Sequence, residues 1–310
     1  MNVLPFARPT STAPVGTPMA QFLMGASMEV MPRTAAKVAN FAETLPLGTR
    51  VYIAHIDGTP IEDMVATAAR LRAEGMEPMP HFPARIIADR NTLVDWIARY
   101  QGEADVRQAL VLAGGVAKPV GEYHASMQLL DTGAFDAAGF THLFVAGHPE
   151  GNRDIDPNGG EASVMEAARW KSEFAKRTDA HMAMVTQFAF EAEPIIAWAD
   201  RLAAAGVDLP IHVGLAGPAK LQTLIKFAVA CGVGPSLKVL QKRARDVTKL
   251  LTPFEPTEVA ARLADHQVAH PETAIVGAHM FPLGGIAASA TWLADHGPCA
   301  SAQSQGGSRA

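Results

Sequence analysis

The chain has 310 residues, 48% of them hydrophobic and only 6% aromatic, so a large core is available and aliphatic side chains must fill most of it. Its 26 basic and 31 acidic residues leave a net charge of −5, which argues against general affinity for nucleic acid or an anionic membrane surface. Its two cysteines, Cys231 and Cys299, are too few for a disulfide framework or a CxxC metal motif, and a reducing cytoplasm is the expected setting.

Residues 1–20 read as an N-terminal extension, with one basic residue, Arg8, and no sustained apolar stretch of the kind a secretory signal needs. No apolar run reaches the ~18 residues of a membrane span. From residue 21 onward, short apolar runs alternate with longer helical patterns. Strands are expected at Leu23–Val30, Arg50–Ala54, Met76–His81, Arg107–Leu112, His142–Ala146, Met182–Thr186, Pro210–Val213 and Thr273–Met280. The helix after the second strand has the clearest ends: Thr59 as N-cap, Pro60 as first residue, Glu62 completing a capping box and Gly75 as the stop. A helix near Pro194 presents Ile195, Trp198, Ala199 and Leu202 inward and ends at Gly206. Another is expected from Pro218 to Gly232. This alternation predicts one α/β domain, a (β/α)8 TIM barrel over residues 21–296. An open sheet binding a dinucleotide would show GxGxxG after its first strand, and that motif is missing. Residues 235–270 break the repeat and predict extra helices before the eighth strand. Their cations Lys238, Lys242, Arg243, Arg245 and Lys249 read as a solvated helix face, or as contacts for a polyglutamate tail or ligand phosphate. Residues 297–310 are small and polar and predict a disordered tail.

In such a barrel the active site lies where strands end and the following loops begin. The residues at those positions are Glu29, His55, His81, Gly114, Gly115, His148, Pro149, Glu150, Gln187, Gly214 and Phe281. Glu29 lies within an apolar stretch, where a carboxylate must be paired, protonated or functional. An ion pair with Arg33 or another cation at the mouth and a catalytic carboxyl are both consistent with that placement. His55, His81, His148 and His279 invite a metal reading, but HxH and HExxH spacings are absent and no catalytic metal is expected. The Gly114–Gly115, Gly159–Gly160 and Gly284–Gly285 pairs either admit close backbone approach to a ligand or are ordinary loop glycines.

One motif narrows the choice. Thr186-Gln-Phe-Ala-Phe-Glu191 resembles the TQF-aromatic-Phe-acid motif of methylenetetrahydrofolate reductases. Four more segments match in the same order: Ser27-Met-Glu29 with Pro32-Arg-Thr34, Pro80-His81, Val145-Ala-Gly-His-Pro-Glu150, and Ile211-His-Val-Gly214 with Lys226-Phe-Ala228. The resemblance spans roughly residues 22–290, and its collinearity weighs more than any single match.

Members of that family interconvert 5,10-methylene- and 5-methyltetrahydrofolate by hydride transfer, using FAD reduced by NADH or NADPH. The resemblance implies that Glu29 is the general acid opening the methylene bridge, a carboxylic acid kept near neutral pKa by its apolar surroundings. It implies that Gln187 bonds the pterin, Phe227 packs on the aminobenzoate ring and Phe281 also contacts substrate. Flavin contacts would fall on His81, Ala113, Gly114, Gly115, His148, Asn152 and Lys176. Several of these depart from the family pattern. Gly115 stands where the family has an Asp, His148 replaces an aromatic residue, Asn152 a His, and Arg169, Ser172 and Ala175 replace polar contacts. A weakened flavin cradle is therefore expected, and a flavin-free NAD(P)H-dependent variant is the nearest alternative. A folate-binding barrel without redox activity, or a methyltransferase-like barrel with a corrinoid partner, are the others. The family forms oligomers, which implies a homo-oligomer here.

Overall fold

The computed structural model describes residues 16–230, 240 and 253–298. Eight strands close into one parallel barrel in chain order. They are β1 (Ser27–Val30), β2 (Arg50–Ile53), β3 (Glu77–Pro83), β4 (Gln108–Leu112), β5 (His142–Gly147), β6 (His181–Ala189), β7 (Ile211–Ala216) and β8 (Ile275–Phe281). Closure is made by β1 against β8, with Ser27 opposite His279 and Met28 opposite Met280.

The two-residue period of a strand sends alternate side chains to the barrel interior and to the helical ring. Val51, Ile53, Phe82, Val111, Leu143, Val145, Met182 and Met184 face outward into one continuous core with the helices. Phe82 sits at its centre, with ring centroids 5.4 Å from Tyr100, 5.1 Å from Phe135 and 6.3 Å from Phe140. Inside the barrel, Tyr52, Met79, Leu110, Phe144, Ala183 and Val185 form a separate apolar layer. Below it, Arg50 Nε donates to Gln108 Oε1 at 2.7 Å and Gln108 Nε2 donates to Glu77 Oε2 at 3.2 Å. These polar groups satisfy one another, so the lower interior carries little desolvation penalty.

All eight strands lie where the apolar runs predicted them, with shifted ends. The largest shift is at β1, because Pro18–Phe22 forms a short helix capped by Thr17, and this helix packs on helix Thr257–Ala269. The extension expected over 1–20 therefore already contributes the buried Ala20 to the fold. The capping box at Thr59 does not form. Pro60 is the N-cap of helix Ile61–Ala73 without a side-chain bond. The Thr59 carbonyl accepts from His55 Nε2 at 3.0 Å, and Glu62 is drawn to Arg99 at 2.8 Å. The predicted 218–232 helix spans Leu221–Ala230, and the 194–206 helix spans Glu193–Ala204 with Gly206 at φ 76° terminating it. Of the extra helices expected over 235–270, Thr257–Ala269 is present; the five cations named there lie outside the described residues. Most of the tail expected from 297 does as well. Among the described residues no helix is long and apolar enough to cross a membrane.

Truncating Phe82 to Ala removes the ring on which Tyr100, Phe135 and Phe140 converge. A loss of about 3–5 kcal/mol in urea unfolding is expected; a loss below about 1 kcal/mol would show that the aromatic cluster closes over the gap.

Candidate active site at the barrel mouth

Ser27 and Glu29 are two residues apart on β1 and so share the interior face. Glu29 Oε2 lies 3.3 Å from His81 Nε2 on β3 and 3.8 Å from His279 Nε2 on β8. The other nitrogen of His279, Nδ1, is 2.8 Å from Ser27 Oγ. Tyr52 packs its ring 4.4 Å from that of His279, and the edge of Phe281 meets His279 at 4.7 Å. Both Nε2 atoms are buried and neither makes an aligned hydrogen bond, so their contacts with the carboxylate are close and electrostatic, with room to tighten around a ligand.

This geometry corrects one expectation. Burial does push the Glu29 carboxyl upward, but His279 and His81 outweigh it and hold the group down at about 2. Burial pushes His279 in the same downward direction, and Glu29 only partly restores it. Glu29 is thus an ionised carboxylate between imidazoles, and not a neutral acid isolated by an apolar wall. Arg33, the alternative partner, forms no ion pair with it.

Gln187 owes its place to an irregularity. The register between β6 and β7 shifts between Val185 and Phe188, which turns the intervening residues relative to the ladder. Thr186 Oγ1 pins the shift by accepting from Gly214 N at 2.9 Å and donating to the Gln187 carbonyl at 2.9 Å. The Gln187 amide is half-buried, and its Oε1 accepts from Phe188 N at 3.1 Å. A Cβ on Gly214 would come within 2.5 Å of the Thr186 carbonyl and 2.7 Å of Phe281 Cε2, so only glycine fits beneath the bulge. Phe227 and Phe281 pack on a cluster containing Phe188, Phe190 and Phe254. Phe281 also touches the carboxylate–imidazole group, and so joins the two halves of the mouth.

The expected flavin positions fare differently. His81 is committed to Glu29. The Ala113 carbonyl accepts from Arg85 N at 2.9 Å, Gly114 at φ 90° would place a Cβ 2.9 Å from Pro83, and Gly115 is exposed. Asn152 lies 3.4 Å from His148 and also accepts from Asp154 N at 2.9 Å. His148 is pushed down to about 4, chiefly by burial and then by Lys171. Lys176 is corrected outright. The helix Ala162–Ala175 runs back toward the lower end of the barrel, so its C-cap Lys176 is far from the mouth, exposed and paired with Glu173 at 2.6 Å. Ser172 is turned to Asp208 at 2.7 Å.

Sequence reasoning missed three groups. Lys171, one turn earlier than Lys176, is buried, donates to the Ala146 carbonyl at the end of β5 at 3.2 Å, and is pushed down to about 8 by burial. Arg85 ties the mouth loops together by donating to the Val116 and His124 carbonyls and to Asp154. Tyr52 lies inside the barrel; only the period-two pattern of β2 could have signalled it. His55 faces away from the cluster, stacked on Trp96 at 4.9 Å. Among the described residues no group of three or more His, Cys, Asp or Glu is placed to hold a metal. A cavity of about 680 Å³ opens elsewhere, between Lys220, Glu255, Trp292 and His296, and none of the mouth residues above lines it.

No family model matches the chain. Among solved structures, a Clostridium thermocellum protein that binds two copies of 5-methyl-5,6,7,8-tetrahydrofolic acid is similar over 87% of this chain and 94% of that one, with a TM-score of 0.54 and 11% identity. The carboxyl transferase domain of Rhizobium etli pyruvate carboxylase aligns with 88% of this chain and 42% of that one, at a TM-score of 0.44 and 9% identity. The likeness is one of fold.

The downward shift of Glu29 makes a pH dependence. A carboxyl depressed on folding contributes stability that is full above its unfolded value of 4.5 and is lost as pH falls toward about 2. The stability difference between the wild type and Glu29→Gln should therefore shrink across pH 4.5 to 2. Urea titrations showing a constant difference over that interval would mean that the imidazoles do not hold the carboxylate ionised.

Proposed function

We propose that this barrel interconverts 5,10-methylene- and 5-methyltetrahydrofolate. The observation that carries the reading is the Glu29 carboxylate between His81 and His279, at a mouth where Phe281 links that group to an aromatic wall. The folate ligand of the Clostridium thermocellum protein, on the same fold, supports it.

Opening the methylene bridge breaks a carbon–nitrogen bond, and the departing nitrogen must take a proton. An isolated ionised Glu29 has none to give. The carboxylate and its imidazoles share protons as a unit, and a proton taken up from solvent as the pterin binds and excludes water resides on Glu29 or on an adjacent imidazole, from which it passes to the departing nitrogen. The opened carbon is then an electrophilic iminium ready for hydride. Gln187 has donor and acceptor in one side chain, which matches the alternating edge of a pterin. Phe227 and Phe281 offer an apolar face for the aminobenzoate ring.

FAD, when bound, would relay hydride, but the residues at its expected positions do not fit it. Lys176 is at the wrong end of its helix, Gly115 has no side chain, and the Asn152 side chain and Ala113 carbonyl are already bonded within the protein. This favours reduced nicotinamide, NADH or NADPH, as direct hydride donor to the iminium carbon.

The protein as purified should turn over methylenetetrahydrofolate with NAD(P)H without a flavin absorption band. Glu29→Gln should slow it by about 10²–10⁴-fold. Gln187→Ala should weaken methyltetrahydrofolate binding by about 1–3 kcal/mol in calorimetry. A stoichiometric flavin band would overturn direct transfer and leave the folate reading intact. Absence of methyltetrahydrofolate binding at millimolar concentration would overturn the folate reading itself.

A further inference from the structure

Strand β6 reverses its in-and-out alternation partway along, and that reversal decides which of its side chains face the mouth. Up to Val185 the alternation is regular: Met182 and Met184 pack in the outer core, while Ala183 and Val185 fill the barrel interior. Continued unchanged, it would send Gln187 and Ala189 inward and Phe188 and Phe190 out to the helices. The structure has the opposite. Phe188 and Phe190 stand in the aromatic wall with Phe254 and Phe281, and Ala189 packs in the outer core. The cause lies in the register. Val185 is opposite His212 and Phe188 is opposite Gly214, so β6 advances three residues where β7 advances two. β7 keeps its own alternation, with Ile211, Val213 and Leu215 all in the outer core. One extra residue on β6 thus turns the rest of that strand over.

We propose that Thr186 is a positioning residue that holds this extra residue in place, and thereby sets Gln187 and the aromatic wall for the ligand without touching it. A bulge separates a ladder donor from its ladder acceptor. Here the donor is the Gly214 N–H and the acceptor is the Gln187 carbonyl. A hydroxyl can serve both at once. Thr186 Oγ1 accepts from Gly214 N at 2.9 Å and donates to the Gln187 carbonyl at 2.9 Å, as a one-atom spacer between the strands. The residue is only 1% exposed, so solvent does not serve these groups in its place.

Without the hydroxyl, both backbone groups are buried and unpaired unless the strands close directly on each other. Carried on from Val185 opposite His212, direct closure would set Gln187 against Gly214 and Phe188 against the outward-facing Leu215. The wall would then lose its rings. Ring packing is the rival explanation for the bulge, since Phe188 lies 5.5 Å from Phe281 and Phe190 lies 5.2 Å from Phe254. One substitution separates the two. Thr186→Val keeps the shape of the side chain and removes both of its hydrogen bonds, whereas the rings are untouched.

The ligand part of this assignment rests on the folate reading of the mouth and the strand part does not, so they are measured separately. In free, full-length protein the Thr186 hydroxyl proton should exchange slowly and show an NOE to the Gly214 amide proton; its absence overturns the proposal. NOEs between the rings of Phe188 and Phe281, and of Phe190 and Phe254, should be present in the wild type. In folded Thr186→Val they should fall below about half their intensity, and in Thr186→Ser, which restores the hydroxyl, they should remain. Calorimetry with 5-methyltetrahydrofolate should show binding weakened about tenfold or more by Thr186→Val, from a misplaced amide and a lost aromatic contact, and within about twofold of wild type in Thr186→Ser. If Thr186→Val does not fold, Thr186→Ala removes the same hydroxyl and should give the same changes. A folded variant without the hydroxyl that keeps its ring contacts, or keeps its folate affinity, overturns the proposal even if its unfolding midpoint drops. Wild-type protein that binds no methyltetrahydrofolate overturns the folate reading instead, and the ring contacts then decide the strand assignment alone.

Discussion

The carboxylate of Glu29 is the constraint around which the upper barrel is organised. A charge at the end of an apolar strand costs several kcal/mol unless something nearby compensates it. Here the compensation comes from side chains of two other strands, His81 on β3 and His279 on β8. Neither is near Glu29 in sequence, and neither reaches it unless the sheet has closed. β8 must pair with β1 in the register that sets Ser27 against His279. The site therefore exists only in the closed barrel, and the register of β1 on β8 brings its groups together.

The loops that frame the mouth depend on a second cation. Arg85, just beyond β3, holds the carbonyls of Val116 and His124 and the carboxylate of Asp154. The loop following β4 is drawn down so closely that a Cβ on Gly121 would meet the Ala88 carbonyl at 1.7 Å. Such a loop is fixed by the protein's own bonds. Polar groups that could have received a cofactor are spent on neighbours, as the Ala113 carbonyl and the Asn152 amide show. Gly115, which has no side chain, lies exposed among loops that are bonded internally.

How much of this could be read from the chain follows from which rules are local. Strand and helix positions depend on periods of two and 3.6 residues, which neighbouring side chains display directly. All eight strands were legible for that reason. Glu29 and Gln187 were legible as polar residues ending apolar runs, and the collinear motifs supplied the roles expected of them. Lys176 was misread because a motif match carries no direction: only the return path of its helix shows that position 176 lies at the lower end of the barrel while Lys171 reaches the end of β5. The state of Glu29 was misread because burial alone raises a carboxyl, whereas the opposing effect comes from histidines some fifty and two hundred and fifty residues away. Thr59 lost its capping role to Pro60 for a similar reason. Its carbonyl serves His55, and Glu62 is claimed by Arg99 on the next helix.

Polar groups inside a barrel can be sorted by whether they are satisfied. The lower interior holds Arg50, Gln108 and Glu77, and these bond one another, with Arg72 completing Glu77 at 2.8 Å. The middle is apolar. Above and through it, Tyr52 Oη, His81 Nε2 and His279 Nε2 are buried without an aligned partner, and all three converge on Ser27 and Glu29. A folded chain leaves few such groups, because each unpaired one costs about 1–3 kcal/mol. Stability alone would have replaced them with aliphatic residues like those in the layer below. The Tyr100, Tyr123 and Ser289 side-chain oxygens, His55 Nδ1 and His266 Nε2 are also buried without a partner, but these residues lie on the loops and helices around the barrel and not in its interior. The orphaned groups of the interior stand together around one carboxylate, at the end of the barrel where the strands deliver their side chains to a ligand. Their clustering, more than the presence of any one residue, sets the mouth apart from the rest of the interior.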